Sequence, residues 1–242
     1  KIYSNQPLYY KEVRKLQEKI LLHSENKGYP FASIKMDSIS IRDNSIAAKL
    51  NLAKNILVKI DSIEIKGTVK ISPIYIYSYL SIKPGDLYDE SLVKKISTRL
   101  KELQFVKETL PFQIIFSEKY TKLVLYLEKK KASQFDGIIG ILPDNKTGKV
   151  LFTGDVHLKL HNSANKGEMI DINWRRLQTQ TQDLKTRFIY PFLFRTPFGI
   201  DFNFKLYKKD TTYLDVNPNF GIQYLLSGGN YFKVFVNRKQ ST

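Results

Sequence analysis

The chain has 242 residues, with 39 lysines and arginines, 23 acidic residues and no cysteine. The formal charge of +16 suggests an anionic partner such as nucleic acid, an acidic protein or a lipid head group, although many lysines are ordinary solvated residues. The lack of cysteine excludes disulfides and thiolate metal sites. No apolar run is long enough for a membrane-spanning helix, so any membrane role would belong to strands.

The first part of the chain predicts one helix followed by a strand hairpin. Apolar residues at helical spacing predict an amphipathic helix over 10–27, which Gly28 ends. Strands follow over 31–41 and 46–53, joined by a turn at Asp43-Asn44. A helix and a hairpin of this size form part of a small α+β unit.

The next stretch repeats this plan and adds two elements in front of it. Its predicted elements are a strand over 56–66, a short helix over 73–82, a longer helix from Asp89 to about Phe105, and strands over 111–116 and 122–128. The first copy shows only the last helix and the hairpin, so we expect its opening strand and helix to lie upstream of Lys1 or to be replaced. Tandem units of this size usually form separate domains. We place the domains at 1–55, 56–132 and 133–242.

Residues 135–236 alternate apolar with polar side chains, which is the period of a β-strand. The breaks at 144–148, 162–167 and 227–230 are tight and rich in Gly, Asn or Ser. A soluble sandwich would bury the apolar face against a second sheet, whereas a transmembrane barrel would turn it toward lipid around a polar lumen. Segments of about ten residues with aromatic side chains near their ends favour the barrel.

The alternation assigns each side chain to one of the two faces of such a barrel. The residues predicted to face the lumen are Asp155, Lys159, Asp171, Arg175, Asp201, Asn203, Asn219 and Gln223. The residues predicted to face lipid are Trp174, Phe202, Phe204, Phe220 and Ile222.

Motifs for catalysis or cofactor binding are absent from the sequence. There is no nucleophile elbow, phosphate-binding glycine loop or distinctive carboxylate pair. His157 and His161 would approach one metal ion on a helix, but on a strand four residues span about 13 Å, too far for one ion. Aromatic and charged side chains lie on opposite faces of the strands, which argues against nucleic-acid binding. We therefore expect no enzymatic activity, no cofactor, no metal ion and no nucleic-acid partner.

Several segments resemble those of a known family. The segment 26–32 resembles the helix-to-strand junction of POTRA (polypeptide-transport-associated) domains. The strand 60–67, the turn 82–89 and the helix end 100–106 follow the order and spacing of that domain. With the alternating region behind it, the chain resembles the BamA-like outer-membrane assembly factors, in which POTRA domains precede a transmembrane β-barrel.

The chain also departs from that family. Its barrels have sixteen strands and a late Val-Arg-Gly-Phe or Val-Arg-Gly-Tyr element that reaches into the lumen. This sequence has room for about seven strands and lacks the element. The expected fold is therefore α+β POTRA domains followed by a partial antiparallel transmembrane β-barrel.

The resemblance implies an outer-membrane insertase or translocase, with the POTRA domains in the periplasm of a Gram-negative-type bacterium. Implied partners are unfolded outer-membrane protein clients, periplasmic chaperones, accessory assembly subunits and outer-membrane lipid. The first barrel strand would be the seam that admits clients, because two glycines weaken its pairing. Its residues are Phe135, Gly137, Ile138, Ile139, Gly140 and Ile141. A two-partner secretion pore and a soluble, basic, β-rich binding module are the alternatives.

Overall fold

The computed structural model describes residues 7, 9–43, 45–143, 148, 150–178, 181–226 and 230–242. Parts of three predicted turns, at Asn44, 144–147 and 227–229, lie outside these residues. The chain divides into two compact units. The first comprises Lys1–Glu64, Ile82–Ser97 and Phe112–Leu125, and the second comprises Ile65–Ser81, Thr98–Pro111 and Tyr126–Thr242.

The first described elements are the predicted helix and hairpin. Helix α1 (Tyr10–Glu25) ends two residues earlier than predicted, and strands β1 (Ser33–Arg42) and β2 (Ser45–Ala53) pair antiparallel. Gly28 has a φ of +92°, which favours glycine, and its carbonyl accepts a hydrogen bond of 2.7 Å from the Val58 amide. The Gly28 turn thus ties α1 to the start of the second repeat.

The second repeat contains three strands and three helices. They are β3 (Ser62–Lys66), α2 (Pro73–Leu80), α3 (Glu90–Val93), α4 (Ile96–Glu102), β4 (Val106–Phe116) and β5 (Thr121–Lys129). The strands form a sheet in the order β3–β5–β4. Every buried hydrophobic side chain among the described residues lies between Val58 and Leu127. The described part of the chain therefore has its hydrophobic core in this repeat.

Two sequence predictions for this repeat were wrong. Of the strand predicted over 56–66, only β3 pairs continuously with a neighbouring strand. Before β3, Lys59 makes an isolated bridge to Leu87. The single helix predicted from Asp89 to about Phe105 is two helices, α3 and α4, separated by a turn at 94–95. Asp89 does begin this region, because its Oδ1 accepts a hydrogen bond of 3.1 Å from the Leu92 amide.

The remaining residues form one antiparallel sheet of eight strands. These are β6 (Gln134–Pro143), β7 (Val150–His161), β8 (Met169–Gln178), β9 (Thr181–Tyr190), β10 (Phe198–Lys209), β11 (Tyr213–Leu225), β12 (Tyr231–Asn237) and the short β13 (Gln240–Ser241). The order is β12–β11–β10–β9–β8–β7–β6, with β13 also paired to β11. Each of the seven longer strands neighbours the next in sequence. The two outer strands, β6 and β12, do not pair with each other, so the described sheet is not closed.

Candidate functional site

A row of polar residues crosses all seven long strands of the sheet on one face. Residues paired directly across a ladder share a face, and the ladders align Gln134, Lys159, Asp171, Arg187, Asn203, Asn219 and Asn237. Asp155, Arg175, Asp201 and Gln223 lie on the same face, at even spacing from members of the row. All eight residues predicted to face a lumen are thus on one face, which we call the polar face.

Asp201 is the centre of an ion cluster on the polar face, and its side chain is only 2% exposed. Its Oδ2 accepts hydrogen bonds from Arg187 Nη2 at 2.9 Å and from Lys233 Nζ at 2.7 Å. Asn203 Nδ2 donates to Oδ1 at 2.9 Å. The three donors come from β9, β10 and β12. The cluster therefore links β10 not only to its neighbour β9 but also to β12, which lies beyond β11. The sequence prediction missed Arg187 and Lys233, because only the strand register brings them to Asp201.

Further charge pairs lie on the polar face. Arg175 Nη2 lies 2.6 Å from Asp155 Oδ2 across the β7–β8 ladder, and both side chains are partly exposed. His157 Nε2 lies 3.1 Å from Asp171 Oδ1. Paired charges on a face that retains solvent access are compatible with a water-filled interior.

The apolar face carries the five residues predicted to face lipid. The ladders align Leu160, Ile170, Phe188, Phe202, Phe220 and Val236 in one row. Trp174, Phe204 and Ile222 lie on the same face at even spacing from that row. Among the described residues nothing buries this face as a second sheet would, and Phe220 and Ile222 remain 47% and 51% exposed. Whether lipid covers the face stays a prediction.

Strand β6 lies at an outer edge of the sheet and pairs with β7. Of the predicted seam residues, Phe135, Gly137, Ile139 and Ile141 lie on the apolar face, while Ile138 and Gly140 lie on the polar face. Ile138 and Ile139 are 78% and 67% exposed. Within the described sheet the outer side of β6 has no partner strand, and an edge strand of this kind can accept a further strand.

The end of the sheet at which the chain arrives from β5 is called here the proximal end. It contains the turn 162–168 between β7 and β8 and the turn 191–197 between β9 and β10. Within the second unit, α2 and the segment before it contact both turns. The Ser72 amide donates to the Asn165 carbonyl at 2.6 Å, and Asn162 Nδ2 donates to the Lys70 carbonyl at 2.9 Å.

The Tyr75 side chain of α2 lies between the two proximal turns. Its ring centroid is 5.4 Å from that of Phe192 in an edge-to-face arrangement, and it leaves no space for a Cβ atom at Gly167. Burial, with smaller contributions from Tyr79 and Glu168, raises the pKa of the Tyr75 hydroxyl, which therefore stays neutral. Glu168 accepts hydrogen bonds from the Ala164 and Lys166 amides of its own turn.

Among the described residues, no group of three or more histidines or acidic side chains is placed to hold a metal ion. Of the residues that could serve as metal ligands in this region, His157 and His161 lie on the polar face of β7, and Glu168 lies in the turn that follows β7. None of the described helices is long and apolar enough to cross a membrane.

Comparison with known families and structures gives independent information on this architecture. Residues 58–128 match the family described as "POTRA: Surface antigen variable number repeat". The crystal structure of BamA from Haemophilus ducreyi lacking POTRA domains 1–3 aligns with 99% of this chain and 46% of that chain, at a TM-score of 0.64 and 10% identity. The chain has a BamA-like fold. In this fold, α2 and β3–β5 belong to the POTRA domain, and β6–β13 are strands of barrel type.

CdiB from Acinetobacter baumannii has a related structure. It aligns with 98% of this chain and 47% of that chain, at a TM-score of 0.54 and 15% identity. The chain thus spans about half the length of these solved structures. No curated protein matches the sequence. The POTRA match and the structural similarity to BamA confirm the predicted fold class, a POTRA domain followed by an antiparallel barrel sheet.

Proposed function

We propose that the protein is an outer-membrane transporter of the insertase or translocase type, which takes unfolded protein clients from the periplasm. The observation that carries the proposal is that a POTRA domain is followed by a long antiparallel sheet. Among the described residues, the apolar face of this sheet is uncovered and its first strand, β6, has a partner on one side only. An uncovered face of aromatic and aliphatic side chains across seven strands is unfavourable in water but suits lipid. A soluble binding module would need a second layer over it.

Clients would first be held at the POTRA sheet. In the order β3–β5–β4, the 11-residue strand β4 is an outer strand, so it is the edge to which an extended client would add. Strand addition uses main-chain hydrogen bonds and does not depend on client sequence. Periplasmic chaperones and accessory assembly subunits would deliver clients and hold the complex together, and no covalent step or cofactor is required.

Client strands would then pair with β6. A glycine on a strand contributes no side-chain packing, so Gly137 and Gly140 make this edge easier to open than one rich in β-branched residues. A Cβ atom at Gly137 would lie 3.3 Å from Val156 Cγ2, and one at Gly140 would lie 3.1 Å from Thr153 Oγ1. Both nearest neighbours are side-chain atoms, and larger residues would strengthen the β6–β7 ladder once these atoms shift by a few tenths of an ångström.

Replacing both Gly137 and Gly140 with valine is expected to slow client insertion at least about fivefold, because β-propensity differences approach about 1 kcal/mol per position. The assay is insertion of a model barrel client into proteoliposomes that contain the protein. Thr186→Val, on the inner strand β9, is the matched control and should insert clients at the original rate. Undiminished insertion by the double variant, with its sheet intact, would show that these glycines serve packing alone.

A two-partner secretion pore is the second candidate, since the structure also resembles CdiB. Such a pore would pass one dedicated substrate along the polar face, and the Asp201 cluster would lie in the path. Export of a secreted partner without insertion of barrel clients would favour it over the insertase.

A further inference from the structure

The turn between β9 and β10 displays a large aromatic ring at the proximal end. It runs from Pro191 to Pro197, and Phe194 is 86% exposed. Phe192, Phe194 and Arg195 have φ values of 52°, 51° and 65°, a left-handed conformation that bulky side chains rarely adopt. Strained backbone of this kind persists only where the surrounding structure holds it, and it clusters at functional sites. Here it directs Phe194 away from the protein.

A cavity of about 340 Å³ lies beside this turn. Its aromatic walls include Tyr75, Tyr190, Phe192 and Phe194, and its two cationic residues are Lys166 and Arg195. No acidic residue is among the described residues that line it. Glu168 lies close to Tyr75, but its carboxylate already accepts from two amides of its own turn. The cavity therefore has an excess of positive charge.

The cavity is at the level where the apolar face ends. On that face, Phe198 and Tyr224 lie 5.2 Å apart in an edge-to-face pair, and Phe188 and Tyr190 lie 6.3 Å apart. Aromatic residues gathered at strand ends mark the membrane–water interface of barrels. Tyr190 belongs both to this aromatic belt and to the cavity wall.

We propose that the cavity binds the head group of an anionic glycerophospholipid of the periplasmic leaflet. Arg195 and Lys166 would hold the phosphate, since guanidinium and ammonium groups are favoured phosphate donors. Phe194 would insert beside the acyl chains. The lipid would then bridge α2 of the POTRA domain and the β9–β10 turn. The inference needs only that the apolar face meets a membrane, and holds for an insertase or a secretion pore.

The charge requirement is tested by native mass spectrometry of the protein in a nonionic detergent, titrated with phosphatidylglycerol or phosphatidylcholine. Each cation near an anionic head group contributes about fivefold in binding, so Lys166→Ala/Arg195→Ala should weaken phosphatidylglycerol retention about 25-fold. Lys101→Ala/Lys107→Ala removes the same charge from exposed parts of α4 and β4, and should change retention less than about twofold. Equal retention by both double variants, or equal binding of both lipids by the unmodified protein, would overturn the proposal.

The position of Phe194 is tested by fluorescence. Trp174 is the single tryptophan, so Trp174→Phe with Phe194→Trp leaves one indole, at position 194. In vesicles containing phosphatidylglycerol, lipids brominated near the head group should quench it more strongly than aqueous iodide does. Quenching by iodide with no effect of brominated lipid would place this turn in water and contradict the proposal. An indole protected from both quenchers would indicate a protein partner on the turn and would also contradict it.

Discussion

Substituting Phe204→Arg is expected to destabilise the folded protein in lipid by about 2 to 4 kcal/mol, the cost of a cation near the midplane on the lipid face of a barrel. Phe204 is the seventh residue of the 12-residue strand β10 and lies on the apolar face. The measurement is urea unfolding of the protein in vesicles, followed by Trp174 fluorescence.

Asn203→Arg is the matched control for this substitution. It introduces the same charge one residue away, on the polar face, where Asp201 lies within hydrogen-bonding distance. Because the change also removes one of the three donors to Asp201, we expect a loss of about 1 kcal/mol of unfolding free energy, smaller than that of Phe204→Arg. Similar losses for the two variants would mean that the faces do not differ in their surroundings, and would contradict the barrel assignment.

Substituting Asp201→Asn is expected to cost about 2 to 3 kcal/mol of unfolding free energy. The change preserves shape but leaves Lys233 and Arg187 side by side without their shared counter-charge. Removing one partner of a fully buried pair costs about 3 to 5 kcal/mol, and the partial exposure of Arg187 reduces this figure.

Asp155→Asn provides the comparison for Asp201. It breaks another Asp–Arg pair of the same face, but there the side chains are 37% and 56% exposed, so the loss should be below about 1 kcal/mol. Urea unfolding in vesicles, as for Phe204, measures both variants. Equal and small losses would show that the cluster around Asp201 is solvated and does not fix the strands.

The strand alternation was predictable from sequence because one buried or lipid-covered face imposes a strict period of two. Neighbouring residues such as Phe202 and Asn203 must point to opposite faces, and a slip of one residue would exchange those faces. The alternating pattern therefore assigns each residue to a face even when the pairing between strands is unknown. The register itself was not predictable. It decides that Lys233 reaches Asp201 across an intervening strand, and no local signal in the sequence links these residues.

The two errors in the POTRA region have a common cause. Periodicity reports which side chains are buried, not which backbone groups are paired. Val58 and Ile60 are buried, as the strand prediction requires, but their segment lacks a continuous ladder. Likewise Val93 and Ile96 are both buried on either side of the turn between α3 and α4. Two short helices that pack on one core preserve the spacing of a single helix.

The proximal turn was also missed, although its sequence carries a signal. Residues 191–197 place two phenylalanines and an arginine between two prolines. The sequence alone predicts these aromatics as members of an interfacial belt at strand ends. The cavity beside them depends on α2, about 120 residues earlier in the chain, and so required the fold.

The central claim is that one face of this sheet meets lipid and the other meets water, and cysteine labelling along β10 tests it most directly. The chain contains no cysteine, so single cysteines at positions 202 to 205 give an unambiguous signal. A membrane-impermeant maleimide should label Asn203→Cys and Lys205→Cys in intact proteoliposomes, and should leave Phe202→Cys and Phe204→Cys unlabelled until the membrane is dissolved and the protein unfolded. Equal labelling at all four positions in intact proteoliposomes would contradict the account.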